Sequence, residues 1–208
     1  MTRQEKAVFI SAKLDELYPA PKPFLHFQDP FTLLVAVMLS AQCADAKVNK
    51  VTPELFKLAS TPQAMVSLGA ERVFEVIKSL GLANTKSRNL CLMSEMLVDK
   101  FGGKVPDNFE DLESLPGVGH KTASVVMAHA FGKPAFPVDT HIFRLASRWG
   151  LSDGKTVEKT EADLKMLFPP GEWERRHLQL IAFGRQFCPA RRHDASLCPI
   201  CSVCTAEE

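Results

Sequence analysis

Three sets of side chains in this sequence could do chemistry. The first is Lys121, in the run Leu115-Pro116-Gly117-Val118-Gly119-His120-Lys121-Thr122-Ala123. The second is Asp139, one helix length later, in Val138-Asp139-Thr140, beyond the break Gly132-Lys133-Pro134. The third is a group of cysteines near the C-terminus. A Gly-x-Gly turn bares backbone N–H groups, because glycine accepts φ > 0 and has no Cβ to block a ligand. The helix that follows begins with its positive dipole end and unpaired amides at the same place, which makes a phosphate site. Lys121 sits in its first turn, where the helix dipole and any burial disfavour the ammonium form and a nearby carboxylate favours it. Alone, such a lysine is a phosphate contact. Alone, Asp139 is the N-cap of a helix beginning His141-Ile142-Phe143-Arg144-Leu145. A backbone clamp, an amine nucleophile and a carboxylate in one compact stretch point to chemistry on DNA, not to binding alone.

Cys188, Cys198, Cys201 and Cys204 are spaced C-x9-C-x2-C-x2-C. Thiolates this close bind either an iron–sulfur cluster or zinc. The crowded C-x2-C-x2-C run is similar to ferredoxin-type ligation, whereas zinc sites more often use two C-x2-C pairs separated by a longer loop. His193, between Arg192 and Asp194, is read with Arg191 and Arg192 as a basic group facing phosphate. Cys43 and Cys91 lie in apolar, helical surroundings and are expected to be small core residues.

The elements that position these groups read as helices throughout. The chain has 208 residues, 46% hydrophobic and 24% charged, with a formal net charge of +1. That is an ordinary globular composition, and a DNA site in it must be a local basic patch. No apolar run approaches the length of a membrane span, and the opening residues resemble neither a signal nor a transit peptide. The bunching of cysteines at one end excludes an evenly stapled secreted scaffold and favours a reducing, cytoplasmic setting. Phe31–Gln42 is apolar nearly all round, as a buried central helix is. Leu68, Val73, Val76, Ile77 and Leu80 keep helical spacing up to Gly81. A helix is expected over 87–100, closed by Phe101-Gly102-Gly103, and a short one over Phe109–Ser114 leads into the glycine turn. No alternating strand is evident, so the fold class is all-α. The proline-rich breaks at 19–23 and 133–137 divide two lobes, residues 24–132 on one side and 1–23 with 133–208 on the other.

Taken together, Leu39-Ser40-Ala41-Gln42, Gly81-Leu82-Ala83-Asn84-Thr85-Lys86, the run 115–123, Val138-Asp139-Thr140-His141-Ile142-Phe143-Arg144 and the terminal cysteines resemble the endonuclease III family of the helix-hairpin-helix–Gly/Pro/Asp DNA glycosylase superfamily. The resemblance runs over nearly the whole chain. It implies two helical lobes, a helix-hairpin-helix motif with a DNA-binding cleft between the lobes, and a metal-cluster loop at 188–204. It also implies a bifunctional DNA glycosylase and AP lyase acting on oxidised pyrimidines in duplex DNA. Lys121 would attack the sugar C1′ of the lesion to form a Schiff base, with strand cleavage by β-elimination. Asp139 would stabilise the cationic sugar. Gly117, Val118 and Gly119 would hold phosphate through their amides, and Gln42 would fill the gap left by the flipped base while Leu82 wedges the opposite strand. His141 is a further DNA-contact candidate. The cysteine set implies a [4Fe-4S] cluster held by Cys188, Cys198, Cys201 and Cys204, whose loop presents Arg185, Arg191 and Arg192 to phosphates, with Lys86 as another contact.

Three departures from the family accompany the match. Its cysteine spacing is C-x6-C-x2-C-x5-C, so this loop is rebuilt. Ala83 stands where an aromatic is often found beside the wedge. His120 takes a hairpin position commonly held by Arg or Lys, which makes phosphate affinity sensitive to pH. The expected partner is double-stranded DNA with a damaged base or abasic site, bound by a monomer that does not enter membranes, in a bacterial or archaeal cytoplasm near the nucleoid. The rivals are a related glycosylase with another lesion preference and a non-catalytic helix-hairpin-helix module, the second of which would need neither Lys121 nor Asp139.

Overall fold

Side-chain caps start many of the helices in this chain. A Ser, Thr, Asp or Asn oxygen placed just before a helix accepts one of the amides that the first turn leaves without a partner. In the computed structural model, Thr2 does this for α1 (Arg3–Leu17) and Asp29 for α2 (Pro30–Ser40), each also donating its own amide to the side chain of the third helical residue. Thr61 caps α4 (Pro62–Ile77), Asn108 caps α6 (Phe109–Ser114), Asp139 caps α8 (Thr140–Arg148) and Thr156 caps α9 (Val157–Leu167). The remaining helices are α3 (Asp45–Leu58), α5 (Ala83–Phe101), α7 (His120–Phe131), α10 (Trp173–Gln186) and the four-residue α11 (Cys201–Cys204), with a 3₁₀ turn at Pro170–Glu172. The structure describes residues 1–205, and among them there is no strand. No described helix is long and apolar enough to cross a membrane.

The chain divides into two units, Pro23–Lys133 and Met1–Lys22 together with the chain from Pro134 onward. In the first unit α2 is the centre: Phe31 through Leu39 are all buried, with α3, α5 and α7 packed round it. α4 and α5 pair closely, and Gly69, at φ +77°, breaks α4 between its two halves. Two boundaries differ from the sequence reading. α2 stops at Ser40, so Gln42 lies beyond its end, and α5 begins at Ala83, a full turn before the expected 87. The early start comes from Leu82, which takes the left-handed conformation and turns the chain straight into the helix. Cys91 is buried as expected; Cys43, in the turn after α2, is only half-buried.

In the second unit α1, α8, α9 and α10 enclose Trp149, Phe136, Phe183, Ile10 and Leu14, all fully buried. α1 and α10 are also joined by a buried polar network. The Arg176 guanidinium, 2% exposed, reaches Asp15 and Glu172, and Gln179 Nε2 donates to the Leu14 and Tyr18 carbonyls. That bond from Arg176 holds the Asp15 carboxyl below its usual range, against the cost of its desolvation. After α10 the chain runs through turns to α11, where Lys6 Nζ donates to the Cys204 carbonyl at 2.8 Å.

Candidate active site and metal centre

The glycine turn joins α6 to α7 and is anchored from below. Leu115 and Val118 are buried, and the Val118 amide donates to the Leu115 carbonyl at 3.1 Å. Gly117 has φ +80°, and a Cβ there would lie 2.7 Å from Asn89 Nδ2 and 3.0 Å from Met38 Cε. Only glycine fits. Gly119 is the opposite case: φ −100° is ordinary for residues with a side chain, and a Cβ there would meet nothing within 4 Å. It is also the N-cap of α7, and having no side chain it leaves the first amides of that helix uncapped from this position. Lys121 is exposed on the first turn of α7. His120 is turned back toward α6, its Nδ1 2.6 Å from Glu113 Oε1 and its ring stacked on Phe109.

Two further candidates share this unit. Gln42 and Leu82 are exposed and both adopt positive φ, +54° and +60°. Left-handed backbone costs a non-glycine residue about 1–2 kcal/mol, more readily spent at a functional position than in a passive turn. The two turns are close, since a Cβ on Gly81 would come 3.8 Å from the Gln42 carbonyl oxygen. Lys86 is not the surface phosphate contact expected from its charge. It is 7% exposed, and its Nζ donates to the Leu39 carbonyl at 2.8 Å. The carbonyls at the end of α2 need donors and sit at the negative end of its dipole, so the ammonium is satisfied there. Burial pulls its pKa down.

In the other unit, half-buried Asp139 caps α8, with Oδ1 accepting the Ile142 amide at 2.8 Å. His141 is half-buried beside it. Arg144 Nη2 lies 3.1 Å from His141 Nδ1 and donates to the carbonyls of Gly184 and Cys188, both at 3.0 Å. Burial lowers the His141 pKa; Asp139 opposes this, and Arg144 and Arg185 add to it. Arg185, Arg191 and Arg192 are exposed.

The cysteine loop gathers a donor set that differs from the expected one. Sγ of Cys188, Cys198 and Cys201 and a ring nitrogen of His193 all lie within 4.8 Å of one another, and Cys204, though buried, is not in this group. Cys188 Sγ and Cys201 Sγ are 3.7 Å apart, and His193 Nε2 is 3.2 Å from Cys201 Sγ. His193 therefore turns inward to the sulfurs, not outward to phosphate with Arg191 and Arg192. Its signal was in the sequence as C-x4-H-x4-C-x2-C, masked by the fourth cysteine. The sulfurs accept from Arg148 Nη1 (3.2 Å, Cys188), Trp149 Nε1 (3.3 Å, Cys201) and the Cys201 amide (3.5 Å, Cys198). The bond from Cys201, helped by Arg148, brings the Cys188 thiol down to about 5. The same contact pushes Cys201 up, since it keeps its proton beside a thiolate. Three buried sulfurs and an imidazole fit a metal centre.

A profile of the HhH-GPD superfamily base excision DNA repair proteins matches residues 35–170, a span that takes in Gln42, Leu82, the glycine turn and Asp139. The chain belongs to this superfamily. Within it the match is to the endonuclease III family. Endonuclease III of Treponema pallidum is 46% identical over 186 residues, 89% of this chain and 88% of that one. The Escherichia coli enzyme is 43% identical over 203 residues, 98% of this chain and 96% of its own. A solved endonuclease III–DNA covalent intermediate, trapped as an estranged-adenine complex, superposes with a TM-score of 0.93 at 39% identity, covering 98% of this chain and 96% of that one. The protein is thus an endonuclease III-like DNA glycosylase and AP lyase of base excision repair. The cysteine loop lies outside the profile's span.

Proposed function

We propose that the protein excises oxidised pyrimidines from duplex DNA and then cuts the strand, with Lys121 as the covalent nucleophile. The observation that carries this is the start of α7: an amine exposed on the first turn of a helix whose N-cap, Gly119, leaves open space above it. A phosphate held by the amides of Gly117, Val118 and Gly119 sets the strand in register. The Lys121 amine, unprotonated, attacks C1′ of the flipped nucleotide. The C1′–N bond to lysine forms as the glycosidic bond breaks, and the base leaves with a proton. The sugar ring opens to the iminium, a C2′ proton is removed and the 3′-phosphate departs, after which water releases the lysine. Oδ1 of Asp139 is committed to the helix cap, so we assign Oδ2 to stabilising the cationic sugar and moving protons. Gln42 and Leu82, exposed and held in costly conformations, fill the stack vacated by the base and wedge the opposite strand. Arg185, Arg191, Arg192 and His141 add contacts to the backbone. The enzyme works as a monomer in the cytoplasm, at the nucleoid.

The [4Fe-4S] cluster that the resemblance implies would set Cys188, Cys198, Cys201 and Cys204 on four separate irons. The donor set described above, three sulfurs and an imidazole converging on one point with Cys204 aside, does not fit that arrangement. No step of the reaction passes through the loop, whose place in the function is to order the exposed arginines.

Borohydride trapping tests the mechanism. Only an amine forms a reducible imine with the opened sugar, so a thymine glycol duplex should give a stable protein–DNA adduct. Trapping on a mismatched or oxidised purine but not on thymine glycol would replace the lesion assignment. An adduct that persists in Lys121→Gln would move the nucleophile elsewhere.

A further inference from the structure

We propose that the 188–204 loop holds a single zinc ion through Cys188, His193, Cys198 and Cys201, in place of the four-iron cluster implied by the resemblance. The inference rests on the metal-centre reading of this loop and is independent of the glycosylase assignment.

Geometry is the first support. Zinc bound tetrahedrally at about 2.3 Å from sulfur and about 2.0–2.1 Å from nitrogen places its sulfurs about 3.8 Å apart and a sulfur about 3.5 Å from the nitrogen. Cys188 and Cys201 are 3.7 Å apart, and His193 Nε2 is 3.2 Å from Cys201. Thiolates on separate corners of a cube each bind their own iron and cannot converge on one point in this way. The second support is the histidine. Its Nδ1 is buried and has no hydrogen-bond partner among the described residues, so Nε2, aimed at the sulfurs, is the atom through which the ring is engaged.

The surroundings of the sulfurs agree. Three thiolates, one neutral imidazole and Zn²⁺ sum to one negative charge, and the Arg148 guanidinium at Cys188 offsets it. The indole N–H of Trp149 and the amide of Cys201 donate to the other two sulfurs, which is how metal-bound thiolates are oriented and stabilised. Cys204 contributes its carbonyl to Lys6, and its buried thiol lies outside the convergent donor group, packed as a small apolar residue. The spacing C-x4-H-x4-C-x2-C supplies all four ligands from one short loop. Binding displaces to solvent whatever protons the three thiols still carry and involves no electron transfer.

The test uses the full chain expressed in medium supplied with both iron and zinc and purified without oxygen. Metal and sulfide content, absorbance and X-ray absorption are measured on the wild type, Cys204→Ser, His193→Ala and His193→Cys. The expected result is a colourless protein with one zinc per chain and a first shell of three sulfurs and one nitrogen. Cys204→Ser should keep the zinc and the same shell. His193→Ala should weaken zinc retention on the order of 10²-fold or more, since losing even an outer-shell partner costs ~10–100-fold, and His193→Cys should restore it with a fourth sulfur. A brown wild type holding iron and inorganic sulfide would overturn the proposal. So would an all-sulfur shell lost in Cys204→Ser, or a wild type with no bound metal. If His193→Ala does not fold, the wild-type shell and Cys204→Ser still decide. Borohydride trapping on the same preparation reports separately on the glycosylase reading.

Discussion

We assign a ligand to both the glycine turn between α6 and α7 and the cysteine loop after α10, and the two are held in different ways. Beneath the turn, Leu115 and Val118 are buried, Asn89 and Met38 crowd Gly117, and two flanking helices fix the ends. Its shape is set by packing, and what it offers outward is backbone. The loop has a four-residue helix and a series of turns, and its buried groups are themselves the donors. Its shape is set by side-chain chemistry at one point. A site shaped by packing should tolerate changes on its outer surface and fail when its floor is altered. A site shaped by ligation should fail when a donor is removed.

The largest expected effect separates chemistry from architecture at the turn. Lys121→Gln should lose the borohydride adduct entirely while its melting temperature stays within error of wild type, because the side chain is exposed. A large fall in melting temperature would mean that the lysine also holds the turn together.

Gly119→Asp should come next. Its Cβ meets open space, so the fold should persist, while the negative charge placed where phosphate docks should weaken DNA affinity on the order of 10²-fold or more. Asp139→Asn retains much of the cap and removes the charge, so single-turnover base release should slow by ~10²-fold, close to ~3 kcal/mol of barrier. Unchanged base release would return Asp139 to a plain helix cap.

Gly117→Ala probes the floor. Its left-handed φ and the contacts awaiting a Cβ should cost about 2–4 kcal/mol in denaturant unfolding. A stable Gly117→Ala protein would show that packing does not fix the turn.

The smallest effect is one of pH. Burial, with Arg144 and Arg185, lowers the His141 pKa in the folded state, while Asp139 partly restores it. The unfolded chain therefore binds the proton more readily, and stability rises with pH across this window. The contribution is present above the ordinary histidine value of about 6.5 and is lost as pH falls through the lower folded value. Asp15, held down mainly by Arg176, adds a second loss of the same sign at more acid pH. Thermal melts from pH 7 down to about 2 should show both, and His141→Gln should remove only the first.

Many of the helices were legible because apolar spacing and caps are local signals: Phe31–Leu39 lie in α2, Val73, Val76 and Ile77 in α4, and Asp139 caps α8. The all-helical fold and the glycine turn follow from such signals. Lys86 was not legible, because a lysine looks the same whether it meets phosphate or a buried carbonyl; the end of α2 that claims it lies 47 residues away in sequence. The start of α5 was misplaced because leucine in a left-handed turn leaves no compositional mark. His193 was misassigned because its neighbours are arginines, and only the fold shows its ring facing away from them.

Lys6 bonded to the carbonyl of Cys204 means that one unit is built from both ends of the chain, with the other inserted between them. During synthesis the inserted stretch leaves the ribosome whole and can fold at once, while α1 must wait with Ile10 and Leu14 unburied until α10 emerges. A nascent chain long enough for Lys133 to have cleared the ribosome would therefore carry a finished glycine turn and a first helix whose apolar face still lacks its cover.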